Sequence, residues 1–263
     1  MKNKKNIIKN FLNKGYSVID CENLNKFDLI KEKIYKLSTN LLNIKKVKSD
    51  LLFDNLHKYI NPNNLNEFKI SLIKKINRDK FFRDSYFEIS SEILDLIVGN
   101  ELAMQKNLNL SIQLPKDSNS LLPLHADTWS GNSPFEVVIW IPLVDCYKSK
   151  SMYILPTSKY KKLFSKKSLK NISNSNQLFN LIKKDIQWIK VNYGQILIFN
   201  QSLPHGNIIN NEKTTRWSFN CRFKSLFSPY GDKKLGEFFE IQSLKPASSV
   251  ALNYEFPEFK KNG

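Results

Sequence analysis

The sequence predicts a mainly β fold with added α-helices, because amphipathic helix patterns precede a block of short strands. Residues 1–105 carry the helix patterns, whereas residues 106–225 carry alternating and β-branched runs separated by turn residues. Several short strands at such spacing are typical of a β-sandwich or a barrel. With 41% hydrophobic residues over 263 positions the chain can bury a sizeable core, so we expect one domain over 1–263, with 226–263 as a C-terminal extension.

Three main helices are predicted in the N-terminal part. Apolar residues recur close to every 3.6 positions over residues 25–42, which indicates an amphipathic helix. Turn and capping residues at 61–64 begin a second helix, and Gly99 ends a third. In order, the predicted elements are a short helix from Phe11 that stops at Gly15, a strand to Asp20, and helices over 25–42, to about Ile76, and over about 81–98.

The pattern changes to that of strands after residue 106. Residues 107–114 alternate polar and apolar side chains, as a half-buried strand does. A Lys-, Ser- and Asn-rich insertion at 160–184 interrupts the strands that follow. The predicted strands are 107–114, 135–144, 152–156, two short strands within 188–200 around Gly194, and 214–223.

Composition narrows the possible partners and the location. The net charge of +17 is compatible with a nucleic-acid or anionic partner, but the basic residues are nearly all Lys and lie along the whole chain. This spread indicates a biased composition rather than a shaped nucleic-acid surface. Three cysteines without a CxxC pair, no signal-peptide pattern and no long apolar run predict a cytoplasmic protein without a membrane span.

Two histidines and an aspartate in the strand-rich block form a candidate metal site. His125 and Asp127 stand just before the run at 135–144, and alternate residues of an extended segment face the same side. His205 follows Pro204 after another predicted strand. Two imidazoles and one carboxylate form the facial triad that holds non-haem Fe(II) and leaves coordination positions open. The three residues therefore predict an Fe(II)-dependent oxygenase.

An arginine and a serine beyond the second histidine predict the cosubstrate. Arg216 lies eleven residues after His205, and Ser218 shares its strand face. An oxygenase of this type needs a chelating cosubstrate, and 2-oxoglutarate takes two metal positions and leaves one for O2. Its distal carboxylate requires a bidentate donor, which a guanidinium and a neighbouring hydroxyl supply. We therefore expect Fe(II), 2-oxoglutarate and O2.

Several segments of the chain resemble one family of oxygenases. They are HADTW, EVVIWIPLVD, SMYILPTS and GQILIFNQSLPHGNIIN, followed by Arg216 at eleven residues from the distal histidine. Together with FLNKGYSVID near the N-terminus, they resemble the phytanoyl-CoA dioxygenase-type 2-oxoglutarate oxygenases over most of residues 9–224. Within that family, GNSPFEVVIWIPLVD and SMYI are most similar to the oxygenases encoded in bacterial surface-carbohydrate clusters. The sequence has Pro156-Thr157-Ser158 where the family usually has G-S-H after the Pro, which affects a loop and not the metal.

The resemblance implies a double-stranded β-helix, a jelly roll of the cupin type, with N-terminal helices packed on one sheet. It also implies Gln113, on the strand before the metal motif, as a further cosubstrate contact, with a solvent-facing strand position as the alternative. The family's metal ligands fall on His125, Asp127 and His205, its carboxylate anchor on Arg216 with Ser218, and the pocket lining is assigned to Trp129, Asn132, Trp140 and Arg222.

The implied reaction is the hydroxylation of a small molecule or of a carbohydrate intermediate, such as a nucleotide sugar or a glycan, with release of succinate and CO2. Related halogenases lack the metal-binding carboxylate, so Asp127 favours hydroxylation or desaturation. Two other readings stay open. Arg216 and Arg222 have the spacing seen in nucleic-acid demethylases of the AlkB type, although RWSFNCR differs from their RxNxTxR. A non-catalytic jelly-roll sugar-binding module is the second alternative.

Overall fold

The computed structural model describes residues 4–45, 47–164 and 172–257. Eight helices and ten strands lie in these ranges. The helices are α1 Lys4–Lys14, α2 Leu24–Leu42, α3 Ser49–Asn55, α4 Leu65–Arg78, α5 Lys80–Ile97, α6 Thr157–Phe164, α7 Ser175–Ile182 and α8 Pro246–Leu252. The strands are β1 Tyr16–Asp20, β2 Leu102–Gln105, β3 Asn109–Gln113, β4 Glu136–Pro142, β5 Tyr153–Ile154, β6 Gln187–Trp188, β7 Gln195–Asn200, β8 His205–Gly206, β9 Arg216–Ser225 and β10 Phe239–Ser243.

Two antiparallel sheets carry the fold. The larger has seven strands in the order β1-β7-β4-β9-β2-β10, with β3 paired to the first half of β9. The smaller has three strands in the order β6-β5-β8. A cavity between them is lined from both, for example by Trp140 and Phe199 of the large sheet and by His205 of the small one. Helices packed against a mainly antiparallel sheet confirm the predicted fold class.

The alternation of side chains along β9 explains how the large sheet serves both a core and a cavity. Trp217 and Phe219 are buried in the hydrophobic core, where the Trp217 indole donates a hydrogen bond to the Phe53 carbonyl of α3 at 3.0 Å. On the core side of β4, the Tyr86 hydroxyl of α5 donates to the Ile139 carbonyl at 2.7 Å. Successive residues of a strand point to opposite faces, so the even-numbered residues of β9 face the cavity.

The helices predicted over 25–42, to about Ile76 and over 81–98 are confirmed as α2, α4 and α5. Helix α3 and strand β2 were not predicted. Both are short, and all four residues of β2 are buried, so neither shows a clear periodicity.

The sheet is not confined to residues 106–225. Strand β1 pairs with β7, and β10 pairs with β2, so residues before 106 and after 225 form the outer strands of the six-strand path of the large sheet. The segment expected to be a C-terminal extension therefore supplies a strand, and its pairing satisfies the backbone hydrogen-bonding groups along the edge of β2.

Helix α7, in the C-terminal part of the insertion at 160–184, packs beside the strands of the small sheet. Leu178 and Ile182 of α7 join Leu124 and Tyr153 in a separate hydrophobic cluster. Residues 165–171 of the insertion lie outside the described residues. None of the helices in the described ranges combines the length and apolar character that crossing a bilayer requires.

Candidate metal centre

The two histidines are direct cross-strand partners. The His125 backbone N–H donates to the His205 carbonyl at 3.0 Å, and the His205 N–H donates to the His125 carbonyl at 2.8 Å. His205 begins β8, which is itself paired with β5, so this exchange adds His125 to the small sheet. Residues paired in this way point their side chains to the same face, and the two imidazole centroids lie 4.3 Å apart.

Asp127 completes the donor set from the first turn of a short 3-10 helix. Its backbone N–H donates to the Gln201 carbonyl at 3.0 Å, and its Oδ1 lies 3.7 Å from Nε2 of His125. His125, Asp127 and His205 each offer a ligand atom, and these atoms lie within 4.8 Å of one another. Two imidazoles and one carboxylate at such spacing fit a divalent metal ion of the first transition row.

Hydrogen bonds within the chain select the ring nitrogen that faces the metal position. Nδ1 of His125 lies 2.7 Å from the Pro123 carbonyl, and Nδ1 of His205 lies 2.8 Å from the Leu203 carbonyl. A carbonyl oxygen only accepts, so each Nδ1 must carry the proton. Nε2 of each neutral ring is then left with its lone pair, and partners of this kind orient metal-binding histidines.

Burial keeps His205 neutral. Desolvation, followed by the neighbouring His125, lowers the pKa of His205 to about 4, although the charge of Asp127 acts in the opposite direction. His205 is 7% exposed, and its ring packs edge-on against Phe199 at 5.0 Å between centroids. A neutral imidazole is the form that binds a metal ion.

The three residues line a cavity of about 420 Å³. Trp140 and Arg222, two of the predicted pocket residues, line it as well. The other lining residues that bear on function are Lys69, Asn109, Ser111, Asn119, Ser120, Leu121, Leu122, Val138, Asn207, Arg216 and Asn220. The candidate metal ligands and the predicted anchor Arg216 therefore line one cavity, and the rest of its wall contains both polar and apolar side chains.

Arg216 is deeply buried on the cavity face of β9. Its Nη2 donates to the Ser111 hydroxyl at 2.9 Å and its Nη1 to the Ser151 carbonyl at 3.4 Å. Within the described ranges, its Nε and the hydroxyl of Ser218 are buried without a hydrogen-bond partner. Buried polar groups are normally paired, so these two atoms fit an anionic ligand such as the distal carboxylate of 2-oxoglutarate. Desolvation lowers the pKa of Arg216 to about 10, which leaves it charged at neutral pH.

Four predicted site residues are absent from the cavity wall: Gln113, Trp129, Asn132 and Ser218, the last fully buried on the β9 face that carries Arg216. Gln113 is fully buried and donates through Nε2 to the Ile208 carbonyl at 2.7 Å, so it ties β3 to the segment after His205. Trp129 is 46% exposed, because the 3-10 turn that begins at Asp127 carries its indole toward solvent. Asn132 is buried beyond the end of that turn. Oε1 of Gln113 is buried without a hydrogen-bond partner in the described residues, so its contact with the cosubstrate stays a prediction, as do the pocket roles of Trp129 and Asn132.

Arg222 occupies the cavity wall in contact with the donor set. Its Nη2 lies 2.9 Å from Oδ2 of Asp127, in an ion pair whose two side chains are 18% and 9% exposed. Arg222 thus lines the cavity with a protein carboxylate as its partner, and a contact with substrate stays a prediction.

Lys69, Asn109, Ser111 and Asn220 were not singled out from the sequence. Asn220 lies on the same β9 face as Arg216, and Asn109 donates to its side-chain oxygen at 3.0 Å. Alternation along β9 from Arg216 was a usable signal for Asn220. Lys69 comes from α4, where no local pattern separates it from other lysines of an exposed helix face.

Comparisons with known proteins identify the fold but no family. No family model matches the chain, and no curated protein matches it. The chain is similar to the solved nickel complex of the non-heme monooxygenase ThoJ, at 12% identity and a TM-score of 0.55, over 94% of this chain and 93% of that one. It is similar to AviO1 from Streptomyces viridochromogenes Tue57, at 12% identity and a TM-score of 0.54, over 88% of this chain and 99% of that one.

A third similar structure is HygX from Streptomyces hygroscopicus with nickel and 2-oxoglutarate bound. It shares 13% identity at a TM-score of 0.51, over 88% of this chain and 90% of that chain. At these identities the likeness concerns the fold, and it confirms the predicted double-stranded β-helix.

Proposed function

We propose that the protein is an Fe(II)- and 2-oxoglutarate-dependent oxygenase that acts on a small molecule. One observation carries the proposal. The donor atoms of His125, Asp127 and His205 converge on a cavity that also holds the buried guanidinium of Arg216. Similar structures support it, since ThoJ is a non-heme monooxygenase and HygX was solved with nickel and 2-oxoglutarate bound.

The chain would hold Fe(II) through Nε2 of the two histidines and one oxygen of Asp127. Their Nδ1 atoms donate to backbone carbonyls, so the ligand nitrogens are oriented before a metal binds. Three ligands leave positions for the keto acid and for O2. Bound Fe(II) and 2-oxoglutarate would supply the oxidation of a C–H bond, with succinate and CO2 as coproducts.

Arg216 and Ser218 would anchor the distal carboxylate of 2-oxoglutarate. Hydrogen bonds between ionised partners are about twice as strong as neutral ones, and the buried position of Arg216 excludes competing water. Lys69, half-buried in the cavity wall, adds a second positive charge that favours an anionic ligand.

For the substrate we propose a carbohydrate intermediate, such as a nucleotide sugar or a glycan. Asn119 and Ser120 line the cavity, and the Asn119 amide and the oxygen of the Ser120 hydroxyl, whose proton goes to Asp117, match the hydrogen-bonding groups of sugars. The chain also resembles, in its GNSPFEVVIWIPLVD and SMYI segments, oxygenases of surface-carbohydrate clusters.

The first experiment needs no substrate. Fe(II) and 2-oxoglutarate are added to the apoprotein without oxygen, and the visible metal-to-ligand charge-transfer band is recorded. We expect a band in the wild type, its loss in His125→Ala, and a requirement for about 10- to 100-fold more 2-oxoglutarate in Arg216→Ala. Trp129→Ala, a change at an exposed residue outside the cavity, is the control and should behave as the wild type.

A wild-type protein that gives no band would refute the oxygenase and leave the sugar-binding module. Once the band is present, succinate release under air tests the substrate class. Nucleotide sugars and glycan fragments should stimulate it, whereas single-stranded oligonucleotides should not. Stimulation by oligonucleotides alone, lost at high salt, would favour the nucleic-acid demethylase.

A further inference from the structure

Four polar side chains, the first of them Asp127, form a continuous series of hydrogen bonds that runs from the candidate metal site into the protein interior. Oδ2 of Asp127 accepts from Nη2 of Arg222 at 2.9 Å. Nε of Arg222 donates to Oε1 of Gln201 at 3.0 Å, and Nε2 of Gln201 donates to Oε2 of Glu136 at 2.7 Å. Gln201 is fully buried and Glu136 is 1% exposed, so water competes little for these bonds.

The groups at the two ends of this series of hydrogen bonds determine the direction of every bond in it. Nε2 of Gln201 also donates to the Ser133 carbonyl at 3.0 Å, and Oε1 of Glu136 accepts the Ser133 backbone N–H at 3.0 Å. These acceptors require the amide nitrogen of Gln201 on the Glu136 side, which leaves its oxygen for Arg222. Arg222 only donates and the Asp127 carboxylate only accepts, so the polarity has no alternative arrangement.

Arg222 is held at each nitrogen of its side chain. Besides Asp127 and Gln201, it meets Gln105, whose Oε1 accepts from Nη1 at 3.3 Å and from the Arg222 backbone N–H at 3.2 Å. Three of the five N–H groups of its guanidinium are thus engaged by side chains of the protein itself. The arginine is therefore better suited to fix a neighbour than to receive a substrate.

We infer that Arg222 is a positioning residue that limits Asp127 to one metal-facing oxygen, and that Gln201 and Glu136 hold Arg222 in that role. The inference rests on the proposed function. Oδ1 of Asp127 is the oxygen near His125, at 3.7 Å from Nε2, whereas Oδ2 is taken by the guanidinium. A carboxylate can bind a metal through one or both oxygens, and a second oxygen would occupy a position that the keto acid or O2 needs.

The test is an anaerobic Fe(II) titration, with the charge-transfer band recorded at saturating 2-oxoglutarate. Arg222→Met should weaken Fe(II) binding by about tenfold or more, the usual effect of losing a partner of a metal ligand. It should also shift the band, because Asp127 is then free to coordinate differently. Gln201→Met should act in the same direction but less strongly, and Arg222→Lys should recover part of the loss.

Arg83→Met is the matched control. Arg83 is also ion-paired, to Glu240 at 3.6 Å, and its side chain is 20% exposed against 18% for Arg222, but it does not line the cavity. This variant should leave Fe(II) affinity and the band unchanged. A cooperative thermal unfolding transition shows that each apoprotein is folded. If Arg222→Met does not fold, the Fe(II) affinity and band position of Gln201→Met and Arg222→Lys test the positioning role instead.

The two proposals fail in different ways. A wild-type band together with wild-type Fe(II) affinity and band position in the Arg222 and Gln201 variants would overturn the positioning role and leave the oxygenase intact. A wild-type protein without any band would remove the oxygenase, and with it the role of Arg222 toward a metal.

Discussion

The unpaired hydroxyl of Ser218 indicates a role in binding a ligand and not in stabilising the fold. Its hydroxyl is buried and has no hydrogen-bond partner in the described part of the chain, and it shares a strand face with Arg216. A buried hydroxyl without a partner costs about 1–3 kcal/mol. Such a cost is understandable where a ligand supplies the missing bond.

Ser218→Ala is expected to stabilise the apoprotein by about 1 kcal/mol and to weaken 2-oxoglutarate binding by about tenfold. The first effect removes the unpaired hydroxyl, and the second removes a bond to a carboxylate. Urea unfolding and titration of the charge-transfer band measure the two quantities. Ser38→Ala is the control, since Ser38 is equally buried with an unpaired hydroxyl but lies on α2 and not beside Arg216 on β9, so only stability should change.

At the residue scale, the part of the site formed by residues close together in the sequence could be predicted. His125 and Asp127 were predicted from their spacing in an extended segment, and the structure brings them together with His205. Trp129 lies on the 3-10 turn after Ala126 and is 46% exposed, and no pattern in the sequence indicated this direction. The partner of Arg222 lies 95 residues away along the chain, and a side-chain pair at that separation has no local signal.

Helix α7 illustrates the contribution of an element that holds no site residue. Leu178 and Ile182 pack with Leu124, which lies next to His125, and with Tyr153 of β5. Helix α7 thus packs against β5 of the small sheet and against the residue that precedes His125. We infer that its packing helps to hold the metal ligands in register.

Ile182→Ala is expected to cost about 2–4 kcal/mol, because it leaves a cavity at a residue that is 2% exposed. We also expect weaker Fe(II) binding, since the strands of the metal ligands lose support. Leu181→Ala on the same helix, at a residue that is 43% exposed, should change stability by less than about 0.5 kcal/mol. An Ile182 variant that loses stability but keeps its metal affinity would show that the insertion does not support the site.

At the scale of the whole molecule, the two ends of the chain close the large sheet. Strand β1 and strand β10 are the outer strands of the path, so the block predicted over 106–225 supplies an edge only through β3, which pairs with β9 alone. The core that includes Phe27 of α2 and Phe82 of α5 also includes Trp217 of β9, which places helices from before residue 106 in the same apolar interior.

A fragment of residues 106–225 is therefore expected not to fold on its own. It would expose the edges of β7 and β9 and the apolar face that the N-terminal helices cover. Circular dichroism and urea unfolding of the fragment and of the full chain provide the comparison. A cooperative transition in the fragment would show that the central strands form an independent unit.

Metal binding should stabilise the whole molecule. A ligand that binds only the folded state at about 100 times its dissociation constant adds about 2.7 kcal/mol. Ni(II) with 2-oxoglutarate should therefore raise the melting temperature, and a chelator should reverse the rise. His205→Ala should abolish the increase, and an equal increase in that variant would place the bound metal elsewhere.

The sequence by itself determined the main helices of the N-terminal part, the change to strands after residue 106 and the pair His125-Asp127. Each of these follows from signals within about 20 residues, such as periodicity, capping and alternation. Only the tertiary structure decided that His205 stands opposite His125, that residues 239–243 close the sheet and that Arg222 pairs with Asp127. Strand pairing and buried ion pairs join residues that are far apart in the chain, and the packing of the whole chain selects which of them meet.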